Sequence, residues 1–134
     1  MTARLIAIVF LALALGACAE PPYTSVDNSQ LKTLLAQGTP LYDVRRAEEW
    51  SQTGVVEGSR KLTFVDAGGR MNPELLPRLA AEVGKNDPVI LICRTGNRTG
   101  TLARELAGMG YTRIYNVRDG ITRWISEGNP VVRN

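Results

Sequence analysis

Val89-Ile90-Leu91-Ile92-Cys93-Arg94-Thr95-Gly96-Asn97-Arg98-Thr99-Gly100 joins four consecutive aliphatic residues to a short polar loop with two glycines. Asp87-Pro88 turns the chain into this run, the most hydrophobic of the mature sequence. Unalternating aliphatics suit a central parallel strand buried on both faces. Beyond the loop, residues 99–109 place Leu102, Leu106 and Met109 at helical spacing, and Gly108 and Gly110 close the segment. A strand, a tight loop and a helix therefore follow one another, with Cys93 at the carboxyl end of the strand. In open α/β sheets that end is where ligands bind.

Working outward, residues 114–117 read as another strand and residues 121–126, with Trp124, as a final helix. On the other side, Asp27, Asn28 or Ser29 can cap a helix whose Leu31, Leu34 and Leu35 share a face and which ends at Gly38. Residues 40–44 form a short buried strand, 47–50 a helical turn, 54–58 a loop and 60–62 a second short strand. Asn72-Pro73 opens a helix with Leu75, Leu76, Leu79, Ala80 and Val83 inward, stopped by Gly84 and shortened or bent by Pro77. Strands alternating with helices predict an α/β fold: three layers, a central mostly parallel sheet with helices on both faces.

The N-terminus has a different character. Arg4 precedes eleven apolar or small residues, Leu5 to Leu15, followed by Gly16, Ala17 and Cys18. Charged, then apolar, then small is the order of a secretory signal peptide. Eleven residues fall short of the ~20 that span a bilayer. Leu15-Gly16-Ala17-Cys18 resembles the lipobox of bacterial lipoproteins, which implies cleavage of residues 1–17 and a lipid on Cys18. The mature chain is then expected to be exported, periplasmic and lipid-anchored, at the outer membrane in a Gram-negative host because Ala19 rather than Asp follows. Residues 18–26 read as a tether with Pro21 and Pro22, and residues 27–134 as one domain, expected to be a monomer. A net charge of +3 without a basic run speaks against nucleic-acid binding. With Cys18 lipidated, Cys93 is the one thiol left.

The loop after Cys93 holds the chemistry. Gly96 and Asn97 are the residue types that best tolerate positive φ, which a sharply curled loop demands. Curled around Cys93, it turns backbone N–H groups inward as an anion-binding nest, and the following helix adds its own amides and dipole. The chain has no histidine, which excludes a Cys–His dyad and a His-ligated metal site. Support for a thiolate or persulfide must come from amides and from Arg94 and Arg98, at roughly 1.5–3 kcal/mol per charge-assisted bond.

Three stretches together resemble the single-domain rhodanese family over residues 29–131. They are Tyr42-Asp43-Val44-Arg45 with Glu49-Trp50, the loop Cys93 to Arg98, and Gly120 with Trp124 and Gly128-Asn129-Pro130-Val131. The resemblance implies ping-pong transfer of a sulfane sulfur from thiosulfate or a similar anionic donor, through a Cys93 persulfide, to cyanide or a thiol. It assigns Arg94, Thr95, Gly96, Asn97, Arg98 and Thr99 to the substrate loop, with Arg94 and Arg98 binding the donor. Asp43 would hold the base of the loop by hydrogen bonds and Arg45 would support it by ion pairing. It implies no cofactor and no metal. Two departures stand out. Gly54-Val55-Val56-Glu57-Gly58-Ser59 lacks the family's histidine, and Asp119-Gly120 replaces a glycine pair. Two rival readings are a persulfide carrier with little small-molecule turnover, and a cysteine phosphatase or arsenate reductase on the same fold. The latter needs a wider loop, with five residues between Cys and Arg rather than four.

Overall fold

A strand with no polar face needs cover on both sides and hydrogen-bonding neighbours at both edges, and the computed structural model, which describes residues 19–133, provides both. Five strands form one sheet: β1 (Thr24–Val26), β2 (Leu41–Asp43), β3 (Arg60–Lys61), β4 (Val89–Ile92) and β5 (Ile114–Val117). Their order is β1-β5-β4-β2-β3, with every neighbouring pair parallel, so β4 lies in the middle. The helices are α1 (Asn28–Ala36), α2 (Ala47–Thr53), α3 (Leu75–Glu82), α4 (Asn97–Gly108) and α5 (Gly120–Ser126).

The two-residue period of β4 divides the core. Val89, Leu91 and Cys93 face one cluster with Leu75 and Leu79 of α3 and Leu102 and Leu106 of α4. Ile90 and Ile92 face the other, with Leu31 of α1 and Ile121 and Trp124 of α5. The expected three-layer α/β architecture is therefore present, and the sheet is wholly parallel. Asp27 caps α1: its carboxylate accepts from the Gln30 amide while the Gln30 side chain accepts from the Asp27 amide.

Several local expectations need correction. Residues 24–26, read as part of a tether, are strand β1. Their backbone pairs with β5, and Val26 enters the core. Two β-branched side chains and an unpaired sheet edge outweigh the local polarity. Ala80 and Met109 point to solvent rather than inward. Helix α3 begins at Leu75, because Asn72 is held in the preceding loop by bonds to the Phe64 and Thr63 carbonyls. Pro77 then occupies the third helical position, where its missing N–H has no acceptor to lose. Helix α4 starts at Asn97, earlier than the expected residue 99. The signal-peptide reading of residues 1–17 and the lipidation reading of Cys18 fall outside the described residues.

Candidate active site

All five strands run the same way, so the loops after β2, β4 and β5 gather at one end of the sheet. The loop after β4 turns sharply at Gly96, whose φ of 94° is left-handed. A Cβ there would lie 2.0 Å from the Arg118 carbonyl oxygen, so only glycine lets the loop settle on the β5–α5 turn. Asn97 does not share that conformation; it already lies in α4. A second close approach occurs at Gly120, where φ is 61° and a Cβ would lie 2.3 Å from the Arg94 carbonyl oxygen. At the start of α5, Ile121 and Thr122 donate their amides to the Cys93 and Arg94 carbonyls at 2.9 and 3.1 Å. Asp119 has an ordinary negative φ, so glycine is required only at the second of the two positions.

These contacts curl the loop around the sulfur. Gly96 donates its amide to Cys93 Sγ at 3.2 Å, and Thr99 Oγ1 lies 3.3 Å from the same atom. Cys93 is 1% exposed rather than open to solvent. The loop closes over it, and the sulfur lies between the apolar cluster beneath the sheet and two polar groups, the Gly96 amide and the Thr99 hydroxyl.

The basic residues divide the work differently from the expectation. Arg98 reaches across to α2, its two terminal nitrogens donating to the two Glu49 carboxylate oxygens at 2.8 and 2.7 Å. That fork holds the Glu49 carboxyl far below its usual range, at about 2, and raises the Arg98 guanidinium above its own. Arg98 is therefore held in an ion pair, while its side chain still borders the cavity that Arg94 lines. Arg94 is exposed, and no carboxylate among the described residues engages it. With Thr95, Asn97, Arg46, Gln52 and Ile125 it borders a cavity of about 490 Å³.

Asp43 and Arg45 form a buried ion pair, 0% and 1% exposed, closed by several hydrogen bonds. The Asp43 carboxylate bonds Arg45 and Trp50 Nε1 and does not reach the loop, contrary to expectation. Arg45 uses its remaining donors on Thr53 Oγ1 and on the Glu49 and Gly54 carbonyls. The pair thus anchors α2, α2 presents Glu49, and Glu49 holds Arg98. Support passes to the loop at one remove. Val55, standing where the expected histidine is absent, is buried and exchanges two backbone bonds with Val132.

One polar residue at the site escaped the sequence reading. Asn116, in β5 between Tyr115 and Val117, is 4% exposed and bonds both Gly96 and Thr99. A lone amide in an otherwise apolar strand is a legible signal.

Comparison with known proteins points to one family and one fold. The sequence model of the family described as Rhodanese-like domain matches residues 27–127. Thiosulfate sulfurtransferase 18 of Arabidopsis thaliana is 30% identical over 112 residues, covering 80% of this chain and 82% of the relative. A sulfurtransferase of Allochromatium vinosum is 29% identical over 109 residues, covering 80% and 92%. The crystal structure of Rv0390 from M. tuberculosis superposes with a TM-score of 0.71 at 26% identity, covering 84% of this chain and 99% of that one.

Proposed function

Since the chain belongs to the rhodanese-like domain family, a family of sulfur transfer, we propose that it is a sulfurtransferase whose Cys93 carries the sulfur. The observation that carries this reading is the loop curled on Cys93 Sγ, with the Gly96 amide aimed at the sulfur. A Cys93 thiolate attacks the outer sulfur of thiosulfate. The new S–S bond forms as the donor's own S–S bond breaks, and sulfite leaves with the electron pair. Cyanide or a thiolate then attacks the outer sulfur of the persulfide, and the Cys93 thiolate is regenerated.

Arg94 is the guanidinium at the mouth that is free to meet the anionic donor. Arg98, neutralised by Glu49, keeps the loop closed. Export and a lipid on Cys18 belong to the same proposal and rest on the sequence pattern of residues 1–18 alone.

The test is thiosulfate:cyanide activity of the purified protein. Thiocyanate formation should vanish in Cys93→Ser. In Arg94→Gln the KM for thiosulfate should rise at least tenfold, the loss of one charge-assisted contact of roughly 1.5–3 kcal/mol. Undiminished activity in Cys93→Ser, or phosphatase turnover without thiocyanate, would overturn the reading. Persulfide accumulation without thiocyanate would leave a carrier.

A further inference from the structure

We infer that Asn116, a residue of β5 outside the loop, is a positioning residue that turns the Thr99 hydroxyl proton away from Cys93 and ties Gly96 to the base of α4. The inference rests on Cys93 being the sulfur-carrying group.

The orientation follows from donor and acceptor chemistry. Asn116 meets two atoms, the Gly96 carbonyl oxygen at 3.2 Å and Thr99 Oγ1 at 2.6 Å. A carbonyl oxygen only accepts, so the amide nitrogen Nδ2 must face Gly96. Oδ1 then faces Thr99, and because Oδ1 also only accepts, the threonine hydroxyl must donate to it. The hydroxyl has one proton and three acceptors in reach: Oδ1 at 2.6 Å, the Gly96 carbonyl at 3.2 Å and Cys93 Sγ at 3.3 Å. Its shortest bond takes the proton. What Thr99 then shows to the sulfur is a lone pair, which welcomes an S–H donor and disfavours a thiolate.

Cys93 thus receives two opposed signals from neighbouring groups: the Gly96 amide supports negative charge, while Thr99, as Asn116 sets it, opposes it. The restraint is local and reversible. Without Oδ1, the hydroxyl is left with the Gly96 carbonyl and the sulfur as acceptors, and a charged thiolate is the stronger acceptor of the two. Other charges around Cys93 are the Arg98–Glu49 pair reaching from α4 to α2 and Arg94 in the loop. The Asp43–Arg45 pair lies at the end of β2, and Arg118 and Asp119 lie on the β5–α5 turn. All of them are unchanged in the variants below, so their contribution cancels in a double-mutant cycle.

The experiment is the pH profile of Cys93 alkylation by iodoacetamide in the full chain, for wild type, Asn116→Leu, Thr99→Val and the double variant. Leucine fills the space of asparagine without either bond. The midpoint should fall by about one pH unit when Asn116 is removed in the presence of Thr99. No such fall should occur in the Thr99→Val background. An equal change in both backgrounds, or none in either, overturns the inference, because Asn116 would then act on loop geometry alone.

Alkylation reports the sulfur's protonation whether or not sulfur transfer takes place, so failure here is separable from failure of the proposed activity. Should Asn116→Leu not fold, NMR of the wild type decides. A Thr99 hydroxyl proton closer by NOE to the Asn116 side-chain amide supports the inference, and one closer to the Cys93 β protons overturns it.

Discussion

A methyl group added at Gly96 would sit 2.0 Å from the Arg118 carbonyl oxygen and would also require a left-handed alanine. The conformation alone costs about 1–2 kcal/mol, and a backbone oxygen has little room to yield. Gly96→Ala is therefore expected to lower unfolding free energy by more than that amount and to cut sulfur transfer more severely than Arg94→Gln. Urea denaturation and the thiocyanate assay check the two parts. Individual residues differed in how far sequence exposed their placement. Cys93 and Gly96 were legible because a thiol at a strand end and a glycine three residues later permit few arrangements. Arg98 was placed in the right loop, but its pairing with Glu49 was not foreseen. Its partner, Glu49, is forty-nine residues away, and pairing at that range depends on the fold. Asn116 went unread although it is the one amide of an apolar strand, because its neighbours Gly96 and Thr99 come from a different strand–helix unit.

Among the elements, α2 carries more than its seven residues suggest. It is fastened beneath by the Asp43–Arg45 pair and fastens the loop above through Glu49 and Arg98. Sequence pointed to a brief turn here, because residues 47–53 show no continuous apolar stripe. The helix is held instead by part-buried hydrogen bonds that Arg45 donates to the Glu49 carbonyl and Thr53 Oγ1. The ion pair has a definite pH signature. The Glu49 carboxyl is depressed from 4.5 to about 2 in the folded protein, chiefly by the hydrogen bonds from Arg98. A depressed acid contributes stability that is present above its unfolded value and is lost as pH falls through the folded one. The difference in unfolding free energy between wild type and Glu49→Gln should therefore be constant above about pH 5. It should shrink between pH 4.5 and 2. Chemical denaturation across that range measures it, and a difference that does not change with pH would contradict the pairing.

At the scale of the whole molecule, the parallel sheet was the most legible feature, since only a strand buried on both faces tolerates Val89 to Ile92. Strand β1 was the least legible. Three residues after a proline pair hold no periodicity of their own, and their partner β5 lies some ninety positions away. The sheet gathers three loop regions at one end, and the site is a product of that convergence: the sulfur from β4, the carboxylate clamp from α2, the backing amides from α5. If this convergence makes Cys93 a sulfur carrier, thiosulfate must leave its outer sulfur on that residue. Intact-mass analysis of the protein after incubation with thiosulfate, then after addition of cyanide, tests it most directly. The account predicts a gain of one sulfur atom, mapped to Cys93 and removed by cyanide as thiocyanate forms. A protein that stays at its original mass with its thiol reduced and intact, or one that gains sulfur in Cys93→Ser as readily as in wild type, would contradict it.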